Sequence, residues 1–102
     1  MVVSNNRSYF NDEMHQETVA RDRGRDPANR WIGQRIADPE PDLAKLAEAQ
    51  GLAGIGPVTT RGDLRDAMAK AVGIVRAGGA CVVDVHVTPA PRQVAKRPGT
   101  GK

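Results

Sequence analysis

Residues 80–87, Ala-Cys-Val-Val-Asp-Val-His-Val, constrain the fold more than any other part of the chain. The run is short, rich in β-branched residues and almost continuously apolar. Gly78-Gly79 precedes it and Pro89 follows. A strand of this kind is expected to be buried on both faces, as in a parallel sheet covered by helices.

The preceding sequence alternates accordingly. Thr60 and Asp63 have capping-box spacing, in which hydroxyl and carboxylate satisfy free backbone N–H groups. The helix they open is expected to run to about Ala77, with Leu64, Ala67, Met68, Ala71 and Val75 as its apolar stripe. Residues 52–55 form a short strand, and Gly56-Pro57 turns the chain. Asp42 opens a helix with Leu43, Leu46, Ala47 and Gln50 on one face, ended by Gly51. Residues 25–41 contain Pro27, Gly33, Pro39 and Pro41 and predict a long irregular crossing anchored by Trp31 and Ile32. Residues 11–24 are polar and charged; Asn11 or Asp12 could cap a short helix ending at Gly24. Met1, Val2 and Val3 read as the end of a buried strand, broken by Asn5-Asn6. The expected architecture is α/β: part of a three-layer α/β/α parallel sheet.

Composition narrows the functional classes. One cysteine excludes an intrachain disulfide framework and a multi-cysteine zinc site, and suggests a reducing compartment. No apolar run approaches the roughly 20 residues of a membrane helix. No secretory signal is visible. A cytoplasmic location follows as the expectation. The net charge of +3 comes from Arg92, Lys96, Arg97 and Lys102. Residues 1–91 carry 11 basic and 12 acidic groups, a net of −1. No basic face with stacking aromatics emerges, so nucleic acid is not an expected partner. Residues 89–102 read as a solvated, disordered basic tail.

The residues Val2-Val3-Ser4-Asn5-Asn6-Arg7-Ser8-Tyr9, the later Asp38-Pro39 with Asp42-Leu43-Ala44-Lys45-Leu46-Ala47-Glu48-Ala49-Gln50-Gly51, and Val82-Val83-Asp84-Val85 together resemble one family pattern. It is the C-terminal, pyrophosphate-binding domain of thiamine-diphosphate-dependent enzymes, in the flavour of acetolactate synthase and benzoylformate decarboxylase. The resemblance covers residues 2–88, so 1–88 is expected to be the C-terminal portion of such a domain. The family motif opens with Gly-Asp-Gly and closes with Asn-Asn. Only the closing half is present, and the chain reads as the last part of the domain.

The resemblance implies thiamine diphosphate and Mg²⁺ as cofactors and a 2-oxo acid as substrate. A decarboxylase, carboligase or acetolactate-synthase-like reaction would follow, of the lyase or transferase class, in a homo-oligomer. Carried over residue by residue, the cofactor-binding residues are Asn6, Arg7, Ser8 and Tyr9. The metal ligands are the Asn6 side-chain oxygen and the Ser8 backbone carbonyl. Mg²⁺ is hard and oxygen-liking, and an amide oxygen adds no negative charge beside an anionic cofactor. The Gly-Asp-Gly carboxylate and the group that activates the cofactor have no counterpart in the chain. The isolated chain is therefore expected to be inactive. The other reading is a non-catalytic remnant, or a small α/β interaction domain without cofactor.

The remaining polar residues have plainer explanations. His15 reads as a helix-surface histidine and His86 as a structural one. Asp84 is expected to pair locally near a strand end. Cys81 reads as a small buried hydrophobe. Arg21, Arg23 and Arg25 alternate with Asp22 and Asp26 as a solvated, self-paired face. Gly54-Ile55-Gly56 starts like a dinucleotide fingerprint but lacks the third glycine. Asn6-Arg7-Ser8 matches the glycosylation triplet by chance, in the absence of a secretory signal.

Overall fold

A computed structural model describes residues 1–89. All but the first residue of the expected basic tail lies outside them. Three strands, β1 (Val2–Asn5), β2 (Ala53–Val58) and β3 (Cys81–His86), form a parallel sheet in the order β1-β3-β2. Helix α1 (Phe10–Asp22) and a 3₁₀ turn (Pro27–Asn29) follow β1. Helix α2 (Leu43–Ala49) precedes β2, and α3 (Arg61–Arg76) joins β2 to β3. Among the described residues, no helix is long and apolar enough to cross a membrane.

The strand order places the helices. The chain passes from β1 across to β2, then returns to the central β3. Two right-handed crossovers running in opposite directions put their helices on opposite faces. One face carries α3: Ala67 and Ala71 pack with Val58, Cys81 and Val83, flanked by Leu64, Ile74, Ala53, Ile55 and Val85. Val83, at the centre, is 1 % exposed. The other face carries α2, whose Ala44 and Ala47 are buried. The expected three-layer arrangement is thus present.

Two glycines permit the close packing around β2. A Cβ at Gly54 would overlap the Ala44 carbonyl oxygen of α2. Gly56, at φ 145°, would set a Cβ 2.9 Å from that of Asp84.

Both later helices are capped as their sequence suggests. The Asp42 side chain accepts the Lys45 N–H at 2.9 Å, and the Thr60 hydroxyl accepts the Asp63 N–H at 3.1 Å. Other details differ. β2 continues through Gly56-Pro57 with a register irregularity between Ile55 and Val58. It lies at the sheet edge, where the missing proline N–H is tolerated. Helix α1 begins after Tyr9, which gives no side-chain cap, rather than at Asn11 or Asp12. Met68 and Val75 are exposed, because the inner face of α3 runs through Leu64, Ala67, Ala71 and Ile74. Cys81 is buried as expected.

Burial does not anchor the irregular crossing, for Trp31 is 44 % exposed and Ile32 is exposed too. Backbone pairing anchors it instead, through an antiparallel bridge between Ser8 and Arg35. Its outer end is tied to α1 by charge. Glu17 accepts from Arg21 at 2.8 Å and also pairs with Arg30. The Arg21 hydrogen bond, helped by the nearby Arg30 charge and opposed by partial desolvation, holds the Glu17 carboxyl below its ordinary value.

Two outcomes follow from this packing. Gly54→Ala forces α2 away from the sheet and is expected to cost about 3 kcal/mol, read from urea unfolding. The lowered Glu17 carboxyl means that the unfolded chain takes up that proton first. Its contribution to stability is present above the ordinary value of 4.5 and fades as pH falls through the folded value. Glu17→Gln should therefore lower the melting temperature at pH 7, and by progressively less as the pH falls below 4.5. Parallel curves for the two proteins would contradict this.

Candidate functional site

The carboxyl ends of β1 and β3 meet at the last register pair, Asn5 with His86. In parallel α/β sheets, the crevice beyond the strand carboxyl ends is where ligands bind. Here the chain leaves β1 through Asn5-Asn6-Arg7-Ser8, and two side-chain oxygens shape the exit. Asn5 Oδ1 accepts the Arg7 N–H at 3.0 Å, and Asn6 Oδ1 accepts the Ser8 N–H at 3.1 Å. These are successive Asx turns. Arg7 between them has φ 56°, a left-handed conformation uncommon for a residue with a side chain.

The two asparagines do different work. Asn5 faces inward, and its Nδ2 donates to Asp84 Oδ1 on β3 at 3.0 Å. Asp84 is 1 % exposed, so this bond satisfies a buried carboxylate and ties the two strand ends together. Asn6 faces a cavity of about 320 Å³, which it lines with Arg7, Ser8, Phe10, Glu13 and Arg35. One bond from the Ser8 N–H leaves its amide oxygen a second lone pair. The Ser8 carbonyl is equally uncommitted by the bridge to Arg35. That bridge uses the Tyr9 N–H to the Gln34 carbonyl (2.9 Å) and the Ile36 N–H to the Arg7 carbonyl (2.8 Å).

The site's charges are mixed. Arg7 Nε lies 3.8 Å from Glu40 Oε1, and His86 Nε2 lies 3.4 Å from the same oxygen and 3.6 Å from Asp84 Oδ2. The Arg35 guanidinium sits 5.6 Å from the Trp31 ring centre and is more than half exposed. Two arginines at the cavity suit an anionic ligand. The first turn of α1, beginning two residues after Ser8, already carries the Asp12 and Glu13 carboxylates.

Of the residues singled out from sequence, Asn6, Arg7 and Ser8 line one cavity. Tyr9 does not line it; its side chain is exposed, and its carbonyl accepts the Asp12 and Glu13 N–H groups at the start of α1. His15 is exposed on α1, as read from sequence. Arg21 pairs with Glu17 rather than with its neighbouring aspartates. Of the charged residues at the cavity, Glu13, Arg35 and Glu40 were not singled out as site residues. Glu13 is the fully buried residue of α1, yet α1 is polar on every side and offers no periodicity to mark it. Arg35 reaches the site only because the crossing folds back onto Ser8.

Among the described residues, no group of three or more His, Cys, Asp or Glu side chains is arranged to hold a metal ion. A cation here would meet few neutral oxygens, the Asn6 amide and the Ser8 carbonyl, beside the Glu13 and Glu40 carboxylates that line the same cavity. That donor set fits Mg²⁺, which keeps several waters and takes phosphate oxygens as partners.

A parallel α/β layer with an asparagine turn and two arginines beyond its strand carboxyl ends suits a ligand that carries phosphate groups. The family model of the thiamine pyrophosphate enzyme, C-terminal TPP binding domain, matches residues 1–85. The chain belongs to this family and carries a thiamine-diphosphate-binding domain of a thiamine-diphosphate-dependent enzyme. No curated protein and no solved structure matches it.

The Asn5–Asp84 bond generates a stability prediction. Asn5→Ala leaves a buried carboxylate oxygen without its donor, which costs about 1–3 kcal/mol. Asp84→Asn together with Asn5→Ala removes the unpaired charge and should recover part of the loss in denaturant unfolding.

Proposed function

We propose that this chain is the thiamine-diphosphate- and Mg²⁺-binding portion of an enzyme acting on 2-oxo acids, of the acetolactate synthase and benzoylformate decarboxylase kind. Such an enzyme is a lyase or transferase, and it works as a homo-oligomer. The observation that carries the proposal is the Asn6-Arg7-Ser8 turn. Asn6 and Ser8 line a cavity with two arginines, and the turn leaves the Asn6 amide oxygen a free lone pair and the Ser8 carbonyl without a backbone partner.

In this reading Asn6 Oδ1 and the Ser8 carbonyl hold the Mg²⁺ that neutralises the diphosphate. Arg7 and Arg35 offset the remaining negative charge. Asn5 holds the turn against β3 through Asp84. The bound cofactor supplies the reactive carbon that makes and breaks the substrate's bond, and the protein supplies binding and orientation. Residues 1–88 form the domain, and 89–102 a basic extension whose first residue, Pro89, lines the cavity.

Asn6→Ala tests the assignment. The substitution removes one of few protein oxygens around a hard cation, and water can refill the position. Binding should weaken rather than vanish. Calorimetric titration with thiamine diphosphate at varied Mg²⁺ should show a requirement raised roughly tenfold or more, about 1.4 kcal/mol. A variant that titrates like the parent would remove Asn6 from the metal site.

A further inference from the structure

The turn that carries Asn6 and Ser8 is not self-supporting. The asparagine oxygens brace its N–H groups from within, while its outer side rests on α1. There the Ser8 hydroxyl donates to Glu13 Oε2 at 2.6 Å. Glu13 is 1 % exposed. Its other oxygen, Oε1, is buried without a hydrogen-bond partner. It lies 3.5 Å from Arg35 Nη2, within ion-pair range but outside hydrogen-bonding geometry. Arg35 is also the residue that bridges to Ser8. One carboxylate therefore touches both the turn and the crossing segment at the point where they pair.

A carboxylate is a costly choice for this position. A buried polar atom left without a partner calls for an explanation. Packing alone does not supply one, because replacing buried ionic groups by apolar residues of similar size often leaves stability unchanged or raises it. An apolar side chain cannot, however, accept the Ser8 hydroxyl. That bond bears on the Ser8 peptide, whose N–H binds Asn6 Oδ1 and whose carbonyl faces no competing backbone donor in the bridge.

We infer that Glu13 is a positioning residue for the cofactor turn. Through the Ser8 hydroxyl it fixes the direction of the Ser8 carbonyl and, through the Ser8 N–H, of the Asn6 amide. The role rests on the reading of Asn6 and Ser8 as cofactor- and metal-binding groups. It gives the Ser8 side chain a task that the carry-over from sequence, which used only its carbonyl, did not contain.

The test compares Glu13→Met, Glu13→Gln, Ser8→Ala and Asn6→Ala in the full chain. Three quantities are measured: melting temperature, amide hydrogen exchange at Arg7 and Ser8, and the Mg²⁺ requirement for thiamine diphosphate binding by calorimetry. Glu13→Met should melt at or above the parent temperature while exchange at Ser8 accelerates. Its Mg²⁺ requirement should rise about tenfold, as when a ligand's supporting partner is lost. Ser8→Ala should raise the requirement to the same degree. Glu13→Gln keeps an acceptor for the hydroxyl and should stay within about twofold of the parent.

A purely structural role predicts instead that binding follows melting temperature across the series. That result, or a Glu13→Gln variant as impaired as Glu13→Met, overturns the inference. Should Glu13→Met fail to fold, parent-like binding by Ser8→Ala overturns it equally. If Asn6→Ala weakens binding while Glu13→Met and Ser8→Ala do not, the positioning role alone falls. If Asn6→Ala titrates like the parent, or the parent takes up no cofactor at any Mg²⁺ concentration, the cofactor reading falls and the positioning role with it.

Discussion

The parallel pairing of β1 with β3 is the constraint on which the rest of the molecule depends. Four residues of β1 run from Val2 beside Val83 to Asn5 beside His86. The pairing extends at both ends, from the Met1 amino group on the Cys81 carbonyl to the Val87 N–H on the Asn5 carbonyl, each at 2.9 Å. Side chains alternate along a strand, so a slip of one residue would turn Asn5 to the opposite face. Asp84 would then lose its donor, and Asn6 would no longer emerge where the strands end. Register, not any single side chain, decides that the two asparagines perform different tasks.

The charges around the turn follow one pattern. Each buried carboxylate accepts from a neutral side chain, Asp84 from Asn5 and Glu13 from Ser8. Hydrogen bonds to charged groups are stronger than those between neutral partners, so these two can fasten the turn without consuming an arginine. Arg7 and Arg35 are left at the cavity with only loose carboxylate partners, at 3.8 and 3.5 Å. A diphosphate brings negative charge, and cations that are not locked into tight pairs can meet it. The same arrangement explains why Glu17, further along α1, serves a different end. Its partner Arg30 holds the helix to the crossing, away from the turn, while Arg21 pairs with Glu17 within α1.

Much of the framework was legible from local chemistry. The β-branched run at 80–87, the Thr60 cap and the Asp42 cap each act within a few residues, and each element formed where its signals stood. The double asparagine was legible as a turn and as half of a family motif. The illegible features were all consequences of distant contacts. Trp31 and Ile32 looked like anchors because they are large and apolar, yet the crossing is held by backbone pairing to Ser8 and leaves them exposed. Met68 and Val75 belonged to a plausible apolar stripe, but the helix turned Leu64, Ala67, Ala71 and Ile74 to the sheet. Glu13 was invisible because nothing in a polar helix marks one carboxylate as buried.

By itself, the sequence determined the α/β class, the strands and helices with the strongest local signals, and the identity of the turn that leaves the first strand. These follow from side-chain periodicity, capping geometry and the conformational habits of asparagine and glycine, all of which act over short stretches. Only the tertiary structure decided that β3 lies between the other two strands, that Asn5 binds Asp84 across 79 residues of chain, and that Glu13 and Arg35 meet at Ser8. Those contacts depend on register and crossover direction. Both emerge only when the whole sheet is assembled, because hydrogen bonds between strands carry no mark in the sequence of either partner alone.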